Sequence, residues 1–148
     1  MIYSKDIPKT ILITGSFIWV GLICGISFLE SWLKFQAPGM TLELGVAIGR
    51  LVFSALNKVE IVLAGIISIS WWKIYHGHQV SNSTVFLIGL TLIVLMVQTL
   101  VLLPAMDKRA ILRLSGQGLE TSFLHIYYVA GEMFKVICLS LLGLKSIK

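Results

Sequence analysis

The sequence is poor in charge and in cysteine, and each shortage argues against a class of protein. Charged residues make up 13% of the 148 residues, about half their share in an ordinary soluble domain. The two cysteines, Cys24 and Cys138, fall in separate apolar stretches, which favours small buried hydrophobic residues over a disulfide or metal pair. The sequence motifs of P-loop proteins, zinc metalloproteases and serine hydrolases are absent, so no particular enzymatic reaction is indicated.

What the sequence has instead is apolar residues, which account for 57% of the chain. One small core cannot bury this many, so the remainder requires lipid as a second solvent. A membrane-spanning helix takes about 20 residues, and four such spans with short connections use nearly the whole chain. We predict an all-α, polytopic membrane protein, a four-transmembrane-helix bundle in one domain, residues 1–148. The predicted spans are residues 10–35, 42–75, 84–103 and 119–144, with a short interfacial helix at residues 105–114.

Proline and glycine mark the predicted ends and contacts of these spans. Pro38 and Gly39 favour a turn after the first span, and Pro104 is expected to close the third. Two pairs of glycines spaced four residues apart allow helix backbones to approach closely in lipid, which predicts close packing of the first two helices. The pairs are Gly21 with Gly25 and Gly45 with Gly49.

The net charge of +5 does not indicate nucleic-acid binding, because the basic residues lie mainly at span ends rather than in a stripe with aromatic residues. The lipid bilayer is the expected partner, with other membrane subunits as a second option. The basic residues divide almost equally between the two sides of the membrane. The orientation is therefore weakly determined, and we favour both termini on the cytoplasmic side.

Ionisable residues inside spans are costly in lipid and point to functional sites. Counting from the turns at a rise of about 1.5 Å per residue places Glu30, Arg50 and His125 at similar depths on three helices. Arg50 suits a carboxylate or phosphate of a ligand. A binding site and a structural network are equally supported. The predicted ligand-binding residues are Glu30, Arg50, Asn57, His125 and Tyr128, and the charged rim above them comprises Lys34, Asp107, Lys108, Arg109, Arg113 and Glu120.

A deeper layer of charges is predicted between the second and fourth helices, which run parallel. At about 100° per residue, Glu60 faces the same side of the second helix as Arg50, and Glu132 and Lys135 share a face of the fourth. Matched depths predict two ion pairs, Glu60 with Lys135 and Lys58 with Glu132, in which each partner offsets the cost of burying the other. A structural ion-pair network is the favoured interpretation, and a proton or ion path is the alternative.

The loop after the second span contains His76 and His78. Two histidines without a neighbouring Cys, Asp or Glu are a weak metal signature, so a solvated loop is the favoured interpretation. No metal site is predicted in the chain.

Several stretches together resemble a group of small, uncharacterised four-helix bacterial membrane proteins, which are in turn distantly similar to CopD-type (copper-resistance D) and HemJ-type (protoporphyrinogen oxidase) membrane domains. The stretches are FLESWLKFQAPG (28–39), IGRLVF (48–53), LNKVE (56–60), LPAMDKR (103–109) and HIYYVAGE (125–132) with Lys135. The close resemblance implies a multi-pass protein of the bacterial inner (cytoplasmic) membrane. The distant one implies haem or a metal at His125, whose imidazole can ligate either; the identity of a cofactor stays unknown.

The leading functional hypothesis is a small integral inner-membrane protein whose polar intramembrane pocket binds a ligand or partner. One alternative is an accessory structural subunit of a larger membrane complex, in which the charges are purely structural. The other is a haem-, quinone- or metal-dependent oxidoreductase, or a proton-coupled carrier, that uses His125. The sequence leaves open whether the protein is an enzyme.

Overall fold

The computed structural model describes residues 6–75, 81–116 and 122–147, and these residues form four long helices. The helices are α1 (Ile7–Gln36), α2 (Leu42–Ile74), α3 (Asn82–Leu114) and α4 (Leu124–Ile147). Each is long and apolar enough to cross a membrane. No strand occurs in the described ranges. The predicted all-α architecture with four candidate membrane-spanning helices is therefore confirmed.

The helix bounds agree with the predicted spans along α2 and differ at several other ends. The helical segment Leu42–Tyr75 matches its prediction, whereas α1 is helical from Asp6, earlier than predicted. Helix α4 continues to Ile147. The predicted start of the fourth span near residue 119, and Glu120 of the predicted rim, lie outside the described residues.

Pro104 does not close the third helix, contrary to the sequence prediction. The α-helix Asn82–Val97 passes through a π-helical turn, Gln98–Leu102, into a second α-helical segment, Leu103–Leu114. Proline disturbs a helix because it lacks an N–H group and its ring clashes with the preceding turn, and a π-turn is one way in which a long helix absorbs such a disturbance. The predicted interfacial segment is helical, but it continues α3 rather than forming a separate element.

The winding of α1 also changes along its length. An α-helix, Asp6–Leu22, is followed by a π-helical segment, Ile23–Glu30, and the last turn, Lys34–Gln36, is a 3-10 helix. Irregular winding in long helices often coincides with functional sites. In α1 it directly precedes the turns that line the cavity described below.

The turn between α1 and α2 is closed by a hydrogen bond from the Met40 N–H to the Ala37 carbonyl, 3.1 Å long. Pro38 and Gly39 occupy its two central positions. Gly39 has a φ of 80°, which glycine adopts without the steric cost that a side chain imposes. The predicted turn at these two residues is confirmed.

The four helices form a square in which consecutive helices are antiparallel. Helix α1 packs against α2 and α4, and α3 packs against α4 and α2. Helices α2 and α4 therefore lie at diagonally opposite corners and run parallel, as predicted. The antiparallel order is visible in the contacts: Gly15 lies beside Ile67 and Phe35 beside Gly45, whereas Asn57 bonds Thr99 and Arg50 bonds Asp107.

One of the two predicted glycine pairs forms a close helix contact. A Cβ atom at Gly45 would clash with the Phe35 ring, and Gly49 also contacts the last turns of α1. No atom of a neighbouring residue comes within 4 Å of a Cβ built at Gly21 or Gly25. The prediction of close packing is therefore confirmed for the second pair and wrong for the first, because Gly21 and Gly25 lie on a face of α1 that no neighbouring helix approaches closely.

The apolar core lies in the half of the bundle where α1 begins and α4 ends. Trp19 and Leu142 are 1% and 0% exposed in its centre. The outer surface is also apolar, since Leu51, Phe86 and Leu100 are 70%, 65% and 67% exposed. Apolar side chains on the outside of a bundle are stable in contact with lipid, which agrees with a multi-pass membrane protein.

Candidate binding cavity and buried ion cluster

A cavity of about 940 Å³ opens at the end of the bundle that carries the α1–α2 turn. Its walls come from the last turns of α1, the first turns of α2, the last turns of α3 and the first turn of α4. This volume is near the upper end of the range for small-molecule sites. The cavity is thus large enough for a ligand with both a polar head and an apolar portion.

The polar part of the lining is predominantly cationic. Asp107 is the single carboxylate among the described lining residues, against four basic side chains, which leaves a formal excess of three positive charges. Apolar residues such as Phe35, Phe53 and Met106 form much of the remaining wall. The basic side chains are Lys34, Arg50, Arg109 and Arg113.

Arg50 and Asp107 form an ion pair between α2 and α3 within the cavity. Arg50 Nε donates to Asp107 Oδ1, and Nη2 lies 3.5 Å from Oδ2. The two side chains remain 40% and 42% exposed, so solvent screens the pair and its contribution to stability is small. Part of the Arg50 guanidinium group therefore remains accessible to a ligand.

Lys34 places a second cation against the cavity wall, although its side chain is only 9% exposed. Its ammonium group lies 3.4 Å from the Glu30 carboxylate, one turn earlier in α1. It also lies over the rings of Phe35 and Phe53, 5.6 and 5.8 Å from their centroids, which is within the range of cation–π attraction. These contacts stabilise a charge that is largely shielded from water.

His125 lies in the first turn of α4 and contacts the ring of Phe53, with 5.9 Å between centroids. On its other side, Phe53 packs against the ring of Tyr128 at 5.2 Å. His125 is exposed and lines the cavity, whereas Tyr128 is completely buried. Phe53 therefore separates the cavity from the buried interior of the bundle.

Of the predicted ligand-binding residues, Arg50 and His125 line the cavity and Glu30 does not. The Glu30 carboxylate turns toward Lys34 instead. The count of residues from the turn gave its depth, but depth does not give rotation about the helix axis. Lys34, one turn nearer the end of α1, is the residue of this helix that brings a charge to the cavity.

Asn57 and Tyr128, also predicted to bind a ligand, lie deeper than the cavity and do not line it. Asn57 is 4% exposed, and its side-chain amide donates to Thr99 Oγ1 at 2.8 Å. This bond joins α2 to the π-helical turn of α3. Asn57 therefore has a structural partner, and Tyr128 is separated from the cavity by Phe53.

The predicted rim is mostly present in the cavity. Lys34, Asp107, Arg109 and Arg113 are lining residues, whereas Lys108 is exposed and lies outside the lining. Lys108 and Arg109 are adjacent in the sequence and so point in directions about 100° apart on α3. Lys108 is therefore a matched control for the cavity cations.

A second polar site, which we call the buried ion cluster, comprises Trp19, Glu60, Gln98, Glu132 and Lys135. Glu60, Glu132 and Lys135 are each 0% exposed. The Lys135 ammonium group contacts Glu60 Oε1 and lies 3.2 Å from Glu132 Oε1. Trp19 Nε1 donates to Glu60 Oε1 at 2.7 Å, and Gln98 Nε2 donates to Glu132 Oε1 at 3.1 Å. Every helix contributes a side chain to the cluster.

Several polar atoms in and beside the buried ion cluster make no hydrogen bond. They are Glu60 Oε2, Glu132 Oε2, Gln98 Oε1 and the Tyr128 hydroxyl group. The Tyr128 hydroxyl lies beside the Glu132 carboxylate without a hydrogen bond of good geometry. Buried polar atoms normally have partners because an unpaired one is costly, so the cluster has more hydrogen-bond acceptors than donors.

The predicted ion pair between Glu60 and Lys135 is confirmed, and the pair between Lys58 and Glu132 is wrong. Lys58 is exposed. It lies two residues from Glu60 and therefore about 200° away around α2. Glu132 is instead bonded by Lys135 and Gln98.

Sequence reasoning missed Trp19 and Gln98 as members of the buried ion cluster. Trp19 has an ordinary apolar pattern around it, and nothing local distinguishes its indole N–H from those of the other tryptophans. Gln98 carries a usable signal, because it is the main polar residue in a long apolar span and such residues usually bond across helices. That signal predicts a partner but not which one.

The surroundings of His125 suit an anion better than a metal. Lys34 and Arg50 bring positive charge to the same cavity, and the ring of Phe53 covers one side of the imidazole. Among the residues that the structure describes, no group of three or more His, Cys, Asp or Glu side chains could hold a metal ion. The described residues around His125 therefore do not form a three-donor metal site. His76 and His78 lie outside the described residues.

Comparisons with known proteins supply no relative from which a function could be transferred. No family model, curated protein or solved structure matches this chain. The resemblance to CopD-type and HemJ-type domains stays a prediction, and the geometry of the two sites is the basis on which a function can be inferred.

Proposed function

We propose that this membrane protein binds an anionic amphiphile, a molecule with a phosphate or carboxylate head and an apolar portion, in the cavity between its helices. The observation that carries the proposal is the excess of cationic side chains in a cavity whose other walls are aromatic and aliphatic. Guanidinium and ammonium groups are the usual protein ligands of phosphate and carboxylate. Apolar walls provide the matching surface for the remainder of such a molecule.

The position of the cavity supports this ligand class. Helices α2 and α3 have 33 residues each and are about 50 Å long at about 1.5 Å per residue, which exceeds a hydrocarbon core of about 30 Å. The helix ends that form the cavity therefore extend toward the headgroup region. An amphiphile at this depth keeps its head near water and its apolar portion near lipid.

The Arg50–Asp107 pair supports the proposal in a second way. In this pair a cavity guanidinium group already binds a carboxylate. Because both side chains are partly exposed, exchange of Asp107 for the head of a ligand costs little. Asp107 thus occupies the position that we assign to a ligand anion.

The test is equilibrium binding to the protein in a neutral detergent. Phosphatidylglycerol should bind, phosphatidylcholine should bind more weakly because its head is neutral overall, and inorganic phosphate should compete poorly because it lacks an apolar portion. Arg113→Gln should weaken phosphatidylglycerol binding, whereas Lys108→Gln, on the same helix but outside the cavity, should not.

Two results would overturn the proposal. Equal losses from Arg113→Gln and Lys108→Gln would show general attraction to a basic surface rather than a site. Equal binding of the two lipids by the unmodified protein would show no recognition of the anion. Co-purification of a fixed partner protein together with either result would favour the accessory-subunit hypothesis.

The location belongs to the same proposal. We place the protein in a bacterial inner membrane with both termini in the cytoplasm. The resemblance supports the membrane, and the weak bias in the basic residues supports the orientation.

A further inference from the structure

The charges of the buried ion cluster do not balance if all its groups are ionised. Two carboxylates, Glu60 and Glu132, face one ammonium group, Lys135, and each of the three side chains is 0% exposed. No other charged side chain is buried in the part of the chain that the structure describes. One negative charge would then remain in the interior, where an uncompensated charge is strongly unfavourable.

The hydrogen bonds of the cluster are short of a donor as well. Glu60 Oε2, Glu132 Oε2 and Gln98 Oε1 are all buried acceptors without a donor. The Tyr128 hydroxyl, beside Glu132, can donate to one of them. One added proton on a carboxylate would remove the excess negative charge. The resulting O–H group would also donate a hydrogen bond to another of the oxygens that lack a donor.

The two carboxylates are not equally stabilised as anions. Glu60 Oε1 accepts hydrogen bonds from the Trp19 indole N–H, at 2.7 Å, and from the Lys135 ammonium group, which lies closer to Glu60 than to Glu132. Glu132 Oε1 lies farther from Lys135, at 3.2 Å, and accepts an uncharged amide N–H from Gln98 at 3.1 Å. Each carboxylate thus accepts one charged donor and one uncharged N–H, but both donors lie closer to Glu60 than to Glu132. Because the attraction between opposite charges rises as they approach, Glu60 is the better site for the negative charge.

Gln98 is also suited to a protonated Glu132. Its amide nitrogen already donates to Glu132 Oε1, and its amide oxygen is an acceptor without a donor. A carboxylic acid and an amide are complementary, because each has one donor and one acceptor on the same edge. We propose that the buried ion cluster is a proton-binding site in which the Glu132 carboxyl group carries the proton.

The groups around Glu132 favour a proton over a metal cation. Helix α1 presents the uncharged Trp19 and α3 the uncharged Gln98, so the titratable groups that face Glu132 are Glu60, Lys135 and Tyr128. The Lys135 ammonium group contacts both carboxylates and would repel a second cation placed between them. A proton is bound covalently to one carboxyl oxygen and therefore does not have to occupy the space between the two carboxylates.

Infrared spectroscopy of the full-length protein in an ester-free detergent tests this proposal. A protonated carboxyl group has a carbonyl stretch above the amide bands, and the stretch shifts in D₂O. The unmodified protein at neutral pH should show this band. Glu132→Gln and Glu60→Gln should each lose it, because the remaining carboxylate then balances Lys135 without a proton. Glu30→Gln, outside the cluster, should retain it.

A third variant changes the proton count in the opposite direction. Lys135→Met removes the ammonium group, so both carboxyl groups should be protonated and the band should roughly double. The two Gln variants keep the shape of the side chains and decide the question even if Lys135→Met does not fold.

The proposal is overturned if the unmodified protein shows no such band, or if the band persists in either Gln variant of the cluster. A second measurement compares thermal stability in sodium buffer with that in choline buffer. If sodium stabilises the unmodified protein but not Glu132→Gln, the cluster binds a metal cation and the proposal is overturned. Loss of lipid binding in the cavity has no bearing on these outcomes, since the cluster lies behind Phe53.

Discussion

The ammonium group of Lys135 on α4 contacts the carboxylate of Glu60 on α2 across the centre of the bundle, between helices at diagonally opposite corners. The long lysine side chain makes this reach possible. Both side chains are 0% exposed, so neither can exchange its partner for water. The contact therefore fixes the separation of one diagonal of the square. Its loss leaves Glu60 without a charged partner, so that this carboxyl group must take up a proton or remain an unpaired buried charge.

Lys135→Met is expected to lower the free energy of unfolding by about 3–5 kcal/mol, the usual cost of breaking a buried ion pair from one side. Lys135→Met combined with Glu60→Gln should cost less than the sum of the single changes. A coupling of about 1–3 kcal/mol is expected for groups in direct contact. Reversible unfolding in mixed micelles measures all the variants.

A double-mutant cycle on Lys58 and Glu132 serves as the comparison, because Lys58 is exposed and Glu132 is buried, so the two side chains are not expected to interact. The effects of Lys58→Ala and Glu132→Ala should add to within about 0.5 kcal/mol, as for residues without a shared contact. Strong coupling in this cycle together with additive losses for Glu60 and Lys135 would contradict the observed pairing.

Trp19→Phe should destabilise the protein by about 1.5–3 kcal/mol, because it removes the N–H that donates to the charged Glu60 and such bonds contribute about this much. Trp32→Phe is the control, since Trp32 is 63% exposed and its loss should leave stability nearly unchanged. The same unfolding assay compares the two, and equal effects would show that the indole N–H has no special role.

Gly131→Ala should be destabilising by about 1–3 kcal/mol, the usual cost of overpacking. A Cβ atom there would lie 2.9 Å from Gln98 Nε2 and 3.3 Å from a Val94 methyl carbon. Gly89→Ala is the matched change, because nothing lies within 4 Å of its Cβ position and alanine favours a helix by up to about 1 kcal/mol. Opposite signs in thermal stability are expected, and a stabilising Gly131→Ala would contradict the close contact of α3 with α4.

Asp107→Asn should change stability by less than about 1 kcal/mol, since its ion pair with Arg50 is partly exposed. The same change should strengthen binding of an anionic lipid, because it removes the carboxylate that competes for Arg50. Weaker binding, or marked destabilisation measured by thermal unfolding, would show that the pair is structural and would count against the cavity as a site.

A topology experiment tests the four spans. Reporters inserted at Gly39 and at Gly116 should report one compartment, because two helices, α2 and α3, separate these turns. A reporter fused after Lys148 should report the opposite compartment, since α4 lies between. Agreement of all three reporters would be incompatible with four membrane-spanning helices.

The Glu60–Lys135 pair was predictable because helical periodicity and depth both follow from residue counting, and both groups lie on inward faces. The same counting paired Lys58 with Glu132 and grouped Glu30 with Arg50 and His125, but Lys58 is exposed and Glu30 does not line the cavity. Counting gives the position along a helix, whereas the direction of a side chain depends on how the helix is rotated against its neighbours.

The sequence by itself determined that the chain is helical, that its helices suit lipid, and where the α1–α2 turn falls. These properties depend on local terms, namely hydropathy, backbone hydrogen bonding within each helix and the conformational freedom of Gly39. Only the tertiary structure decided that α3 continues past Pro104, that four cations share one cavity, and that Trp19 and Gln98 complete the buried ion cluster. Those features arise from the packing of side chains far apart in sequence, which sets the rotation of each helix and which no local pattern encodes.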